Sequence, residues 1–255
     1  MIISKSNEFI KKIRALQDKK WRDEYGLYVA TGEKLVKTAR DFGCEFYAII
    51  TTANFKENHA ELINSITTFS NDYKGEIEVS EEVFKHLANE VSPQGILAVL
   101  KKPQNQLVSD SESAILLDGV ADPTNVGAII RTALASGYKK VFALEGTADA
   151  FSPKSVRASM GGVFGVSVIN ISRNSVKEIG LPLIVADMFG ESVYTFNPPS
   201  KFCLVIGNEG NGVSKEVKSV ATHVVSIPME NGTESLNASV SAGILMYTLK
   251  YKKEI

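Results

Sequence analysis

Three stretches in the second half of this 255-residue chain carry residue types that could do chemistry. The first is "LDGVADPTNVGAIIRTALASG", residues 117–137. An apolar run ends there in a turn, and Pro123 opens a helix with Thr124 or Asn125 expected as its cap. At 3.6 residues per turn, Thr124, Gly127 and Arg131 share one stripe, and small neighbours leave room for a phosphate before the guanidinium. A packed helix with an exposed arginine explains the same residues. The second stretch, "LVIGNEGNGVSKEV" (204–217), begins as a phosphate-cradling loop would, with Gly207, Gly210 and Gly212 after a strand. Yet Asn208 and Glu209 stand at the turn, the spacing is not G-x-G-x-x-G, and no G-K-[ST] follows. A carboxylate in that position repels a polyphosphate. The third, "VVSIPMENGTESLNASVSAGILMY" (224–247), passes from a strand through Pro228 into a helix rich in small residues. Pro228 holds Ile227 extended, so nearby backbone groups leave the ladder and are free for a flat heterocycle. Tight helix–sheet packing is the alternative for this segment.

Each stretch follows an apolar strand pattern, and ligands of open α/β sheets gather at the carboxyl ends of strands. Strands are expected at 114–118, 140–144, 165–170, 182–187, 202–206 and 223–227. Helices are expected at about 125–136, 153–160 and 236–252. The first half alternates in the same way. A helix over 6–20 is followed by the strand "LYVATG", the helix "EKLVKTARDFG" and the strand "FYAIIT". A helix near 60–66, a short strand near Ile77, a helix at 81–88 and the strand "GILAVL" complete it. Between the halves, "KKPQNQLVSDSES" is polar and without hydrophobic period. The pattern predicts an α/β fold of two domains, 1–102 and 114–255, joined by a linker at 103–113.

A net charge of −1 and 22% charged residues fit a globular protein with no overall positive coat. Residues 1–40 differ, with ten Lys/Arg against five Asp/Glu. Lys11, Lys12, Arg14, Lys19, Lys20 and Arg22 therefore form a candidate contact surface for nucleic acid, an RNA backbone included, or for acidic lipid, with a solvated helix face as the alternative. Cys44 and Cys203 lie far apart, which fits buried thiols in a reducing compartment. No signal-peptide or membrane-spanning run is present, so a cytoplasmic, soluble protein is expected. His59, His86 and His223 do not cluster with the cysteines, and no metal is expected.

Taken in order, the three stretches resemble the signature motifs of the SpoU (TrmH-type) branch of the SPOUT RNA methyltransferases. Asn125, Gly127 and Arg131 match N-x-G-x-x-x-R, "VIGNEGNGV" matches I-G-N-E-x-x-G, and "IPMENGTESLNASVSA" matches I-P-M…S-L-N-x-S. More loosely, residues 1–102 are similar to the ribosomal-protein-like, RNA-binding α/β domain that many such enzymes carry. The resemblance implies S-adenosyl-L-methionine as cofactor, a deep trefoil knot at the carboxyl end and a homodimer. It implies methylation of a ribose 2′-hydroxyl in structured RNA, and the two-domain layout leans towards RNA of the 23S ribosomal type rather than tRNA. By motif matching, Gly207, Ile227 and Leu236 contact the cofactor, with Asn208, Met229 and Asn237 close by. Arg131 is expected to clamp the RNA phosphate and the nascent alkoxide, since a guanidinium does not give up its proton. Asn125 and Glu209 are expected to orient the ribose or Arg131, and Ser235 and Asn237 to shape the pocket. A sulfonium cation tolerates the acid Glu209 where a polyphosphate would not. The rival readings are an inactive RNA-binding relative and a nucleotide-dependent enzyme such as an oxidoreductase.

Overall fold

A computed structural model describes residues 1–103, 112–230 and 235–252. Two compact units are present: Met1–Gln104 with Phe151–Phe164, and Asn105–Ala150 with Gly165–Ile255. The expected linker falls mostly outside the described residues.

In the first unit the elements run α1 (Glu8–Ala15), α2 (Lys19–Tyr25), β1 (Leu27–Thr31), α3 (Glu33–Asp41) and β2 (Phe46–Thr51). They continue with α4 (Ala53–Asn58), α5 (Ala60–Asn64), β3 (Glu76–Glu78), α6 (Glu81–Ala88) and β4 (Ile96–Lys101). The sheet order is β1-β4-β2-β3, with β4 antiparallel to both neighbours and β3 parallel to β2. Ile10 and Ile13 of α1 and Val83, Phe84 and Leu87 of α6 form one core with Leu27, Val29, Leu97 and Val99. Tyr28, Ala30, Ala98 and Leu100, their neighbours in sequence, are buried too, as strands covered on both faces require.

The single helix expected over 6–20 is instead two. Asp18 accepts a hydrogen bond from the Lys20 N–H and caps a second helix, which ends at Gly26 in the left-handed region (φ 61°). Arg22 crosses this corner and donates to the Leu16 carbonyl at 2.7 Å. It is 2% exposed. Arg22 is therefore withdrawn from the expected RNA-facing set, because its guanidinium satisfies the open carbonyl end of α1.

The second unit runs β5 (Ala114–Asp118), α7 (Pro123–Ala135) and β6 (Lys140–Ala143). The helix α8 (Pro153–Ser159) follows and belongs to the first unit, against β1. Then come β7 (Ser167–Asn170), a 3₁₀ segment (Arg173–Ile179), β8 (Leu183–Ser192) and β9 (Cys203–Gly207). Last are α9 (Lys215–Lys218), β10 (His223–Ser226) and α10 (Ala238–Tyr251). Every pairing in the order β10-β8-β9-β5-β6-β7 is parallel. The central strands β5 and β9 are apolar and buried, the signature of a parallel sheet covered on both faces. α10 packs on α7, where the Tyr138 hydroxyl donates to the Met246 carbonyl at 3.3 Å. At its far end Lys252 donates to the carbonyls of Val193, Tyr194 and Phe196.

Leu116 is fully buried at the middle of β5, between two paired neighbours. Leu116→Ala is expected to lower unfolding stability by about 2–5 kcal/mol. Urea unfolding followed by far-ultraviolet circular dichroism checks this; a loss below about 1 kcal/mol would mean the core collapses around the gap.

Candidate active site

The site begins with strand register. β5 and β9 pair with Leu117 opposite Ile206 and Asp118 opposite Gly207, so the two chains leave the sheet side by side. The glycine-rich turn then doubles back: Asn208 and Gly212 exchange backbone hydrogen bonds at 3.0 and 2.9 Å. A Cβ on Gly207 would stand inside the backbone of Gly212 and Val213, so only glycine fits. Asn208 closes the turn from within. Its Oδ1 accepts from the N–H groups of Gly210 and Asn211, while its Nδ2 donates to the Gly119 carbonyl at 2.8 Å. Asp118 holds the far end, accepting from the Ser214 N–H at 2.7 Å and from the Arg173 guanidinium at 3.2 Å.

Glu209, the acid that would repel a polyphosphate, is already engaged. Its carboxylate accepts from the backbone N–H groups of Ala121 (3.1 Å) and Asp122 (3.4 Å) and from Asn125 Nδ2 (2.8 Å). These donors stand at the amino end of α7, where unpaired N–H groups and the helix dipole favour negative charge. Asp122 is the cap of α7, accepting from the Thr124 N–H at 2.8 Å, in place of the expected Thr124 or Asn125. Partial burial by itself would raise the Glu209 pKa; the Asn125 amide and the backbone N–H groups outweigh it and bring it below the ordinary glutamate value. Asn125 is buried, and its Oδ1 accepts from Asn237 Nδ2 at 3.1 Å. Asn237 in turn caps α10, accepting from the N–H groups of Ser239 (2.9 Å) and Val240 (3.3 Å). One hydrogen-bonded chain thus joins all three stretches singled out in the sequence.

Beside this chain lies a cavity of about 840 Å³. Gly207, Asn208, Ile227, Met229, Leu236 and Asn237 all line it, as do Glu209 and Ser235. Its other wall was not foreseen. β8 pairs with β10 through Val185, and the pairing resumes only at Glu191, so Ala186–Gly190 swings out of the ladder. Ala186, Asp187, Met188 and Phe189 of this excursion face the cavity, and Lys218 joins them, its ammonium 2.5 Å from Asp187. Burial pulls the Asp187 carboxyl up, but Lys218 and the Phe189 N–H bring it below the ordinary value. A polar Asp and a Gly within the expected strand 182–187 and just beyond it were the available signal. Among the described lining residues the charges are Asp187, Glu209 and Lys218, a balance of one negative.

Comparison with known proteins decides the family. Residues 112–247 match the SpoU rRNA Methylase family, and residues 7–98 match the MRM3-like substrate binding domain. The chain belongs to the SpoU methylase family. A similar relative is the 23S rRNA (guanosine(2553)-2′-O)-methyltransferase RlmP of Bacillus subtilis, 31% identical over 98% of each chain. Among solved structures, an AdoMet-bound rRNA methyltransferase from Sinorhizobium meliloti superposes with a TM-score of 0.86. It is 27% identical and covers 100% of this chain and 98% of its own. The SpoU methyltransferase AviRb of Streptomyces viridochromogenes, in complex with AdoMet, gives 0.84 at 25% identity, covering 97% of this chain and 98% of its own. No helix among the described residues is long and apolar enough to cross a membrane.

Of the SpoU-motif residues, Arg131 stands apart. It is exposed on α7, outside the cavity lining, and among the described residues it has no hydrogen-bond or ion-pair partner. Six residues along the helix from Asn125, it points to a different face. Thr124 is exposed as well, whereas Gly127 is buried, so the expected open stripe does not include the glycine. On the first unit, Lys11 is paired with Glu8 (2.8 Å) and Lys19 with Asp23 (2.9 Å). Arg14 donates to the His86 carbonyl at 2.8 Å. Lys12 and Lys20 lie over aromatic rings.

Two outcomes test this geometry. Replacing Asn125 by Leu removes the nearest donor to Glu209, and the carboxyl pKa should rise in a carbon-detected NMR titration. Because the folded value is depressed, the contribution of Glu209 to stability is full above its unfolded value of about 4.3 and vanishes as pH falls through the folded one. Gly207→Ala should open the 208–212 turn and abolish ligand binding in the cavity, measured by calorimetry with S-adenosyl-L-methionine.

Proposed function

We propose that this chain transfers a methyl group from S-adenosyl-L-methionine to a ribose 2′-hydroxyl of structured RNA, with large-subunit ribosomal RNA as substrate. The observation that carries the reading is the closure of the three SpoU stretches on one cavity through Glu209, Asn125 and Asn237. The cavity suits the cofactor. Its volume lies within the ordinary range of about 300–1,000 Å³ for small-molecule sites. Its walls combine apolar Ile227, Met229 and Leu236 with the exposed backbone of the glycine turn, and its one negative charge complements a singly cationic ligand. The helix N-terminus that could attract a phosphate is filled by Glu209.

When bound, the cofactor supplies an electrophilic methyl on a sulfonium, whose sulfur keeps the bonding electron pair as a thioether. The protein's part is to hold the ribose oxygen in line with that methyl, which by effective-molarity arguments is worth several kcal/mol. Gly207, Asn208, Ile227, Met229 and Leu236 hold the cofactor, and Ser235 with Asn237 shapes the transfer pocket. Asn125 and Glu209 keep that pocket assembled. Arg131, solvent-facing, unpaired among the described residues and outside the cavity lining, holds an RNA phosphate.

The proposal extends to a trefoil knot at the carboxyl end, to action in the cytoplasm and to a homodimer. Val240 and Tyr247, seven residues apart on α10, leave apolar surface exposed on one helix face, which supports the dimer. Sedimentation equilibrium should give twice the 27.7 kDa chain mass. The decisive experiment supplies labelled S-adenosyl-L-methionine with large-subunit ribosomal RNA and, separately, with tRNA. Label in a 2′-O-methylated nucleotide of the ribosomal RNA is expected; RNA binding without transfer would instead identify an inactive RNA-binding relative. Arg131→Lys keeps the charge but loses the planar fork, so turnover should fall about 100-fold or more with cofactor affinity unchanged. Near-normal turnover would remove Arg131 from this role.

A further inference from the structure

Three lysines of the first unit converge on a single ring. Lys12 of α1, Lys74 and Lys101 of β4 place their ammonium groups 5.0, 5.9 and 5.3 Å from the ring centroid of Tyr47. They come from positions 62 and 27 residues apart, so no run of sequence charge announces them. Lys12 also donates to the Tyr47 hydroxyl at 3.2 Å and lies 4.8 Å from the centre of the Tyr25 ring. Tyr25 stacks on Trp21 with centroids 5.5 Å apart, and Lys20 covers Trp21 at 4.9 Å. The result is a continuous chain of cations and rings running from Lys20 to Lys74.

Like charges gathered this closely repel, and the ring offsets that only in part. Among the described residues, the one carboxylate paired with any of the three is Asp72, 3.0 Å from Lys101. The cluster therefore keeps a surplus of two positive charges. Such a surplus favours a ligand that brings several negative charges at once, as a phosphate backbone does.

We propose that the Lys12–Lys74–Lys101 cluster around Tyr47, flanked by the Trp21–Tyr25 stack, is the surface on which the first unit grips the phosphate backbone of substrate RNA. The inference rests on the RNA-methyltransferase reading and moves the centre of RNA contact. Lys11, Arg14, Lys19 and Arg22 are occupied within the protein; Lys74 has no carboxylate partner among the described residues, and it and Lys101, which meets Asp72, lie outside the basic amino-terminal run. Lys12 and Lys20 belong to both.

The test uses the full chain and an in vitro transcript of large-subunit ribosomal RNA. Trp21 is the single tryptophan, so its fluorescence reports on this surface alone. Titration with the transcript should change Trp21 emission in step with binding measured by filter retention. The double variant Lys74→Gln/Lys101→Gln should flatten the dependence of log affinity on log salt by about two, one for each lost phosphate contact. Lys85→Gln, an exposed lysine on α6 outside the patch, should leave the slope as it was. Calorimetry with S-adenosyl-L-methionine should give the same affinity for all three proteins. If wild-type protein methylates the transcript while the double variant keeps the wild-type salt slope, or while Trp21 emission stays constant through binding, the patch assignment is overturned. If wild-type protein neither binds nor methylates either RNA, the function reading itself is overturned.

Discussion

The carboxylate of Glu209 set against the amino end of α7 is the interaction on which the site depends. Burying or crowding an acid beside a turn is unfavourable unless donors meet it, and here two backbone N–H groups and the Asn125 amide do so. Asn125 can make that contact while also receiving Asn237, because an amide side chain offers a donor and an acceptor at once. The same amide logic operates at Asn208, which ties its own turn to Gly119. Polar networks of this kind are favourable only when every member is satisfied, so the parts stand or fall together.

Parallel strand order is what makes the network reachable. Neighbouring β5 and β9 deliver residues 118 and 207 to adjacent places at the sheet edge, although they are far apart along the chain. β8 and β10 add the cavity's second side on the flank of β9. Chemistry collects at one end of this sheet because all its strands point there.

Much of this was legible beforehand. The α/β class and the places of the strands along the second half followed from apolar periodicity, and the resemblance to the SpoU family rested on three spaced motifs; the order of the strands in the sheet did not show. Asn237 stands where the sequence turns from strand to helix, and Gly207 where an apolar run ends. What escaped notice depended on contacts across long separations. Nothing near Glu209 in sequence says that its partners are Ala121 and Asp122, and nothing near Arg22 says that Leu16 needs a donor. The break after α1 was written in Asp18, a good cap that apolar spacing alone overrode. The outward course of Ala186–Gly190 was hidden because the apolar run ends near Asp187, and the return to the ladder at Glu191 and Ser192 depends on pairing with β10, far along the chain.

That outward course has an evolutionary consequence. Pairing with β10 resumes cleanly at Glu191 and Ser192, and Gly190 is pressed so near Val225 that a Cβ would come within 2.6 Å of its backbone. The two ends are therefore anchored while Met188 (59% exposed) and Phe189 (88%) hang free between them. Lengthening, shortening or recolouring those few positions would resculpt the mouth of the cavity at little cost to the sheet. Descendants of this scaffold could acquire new tastes there without relearning how to fold.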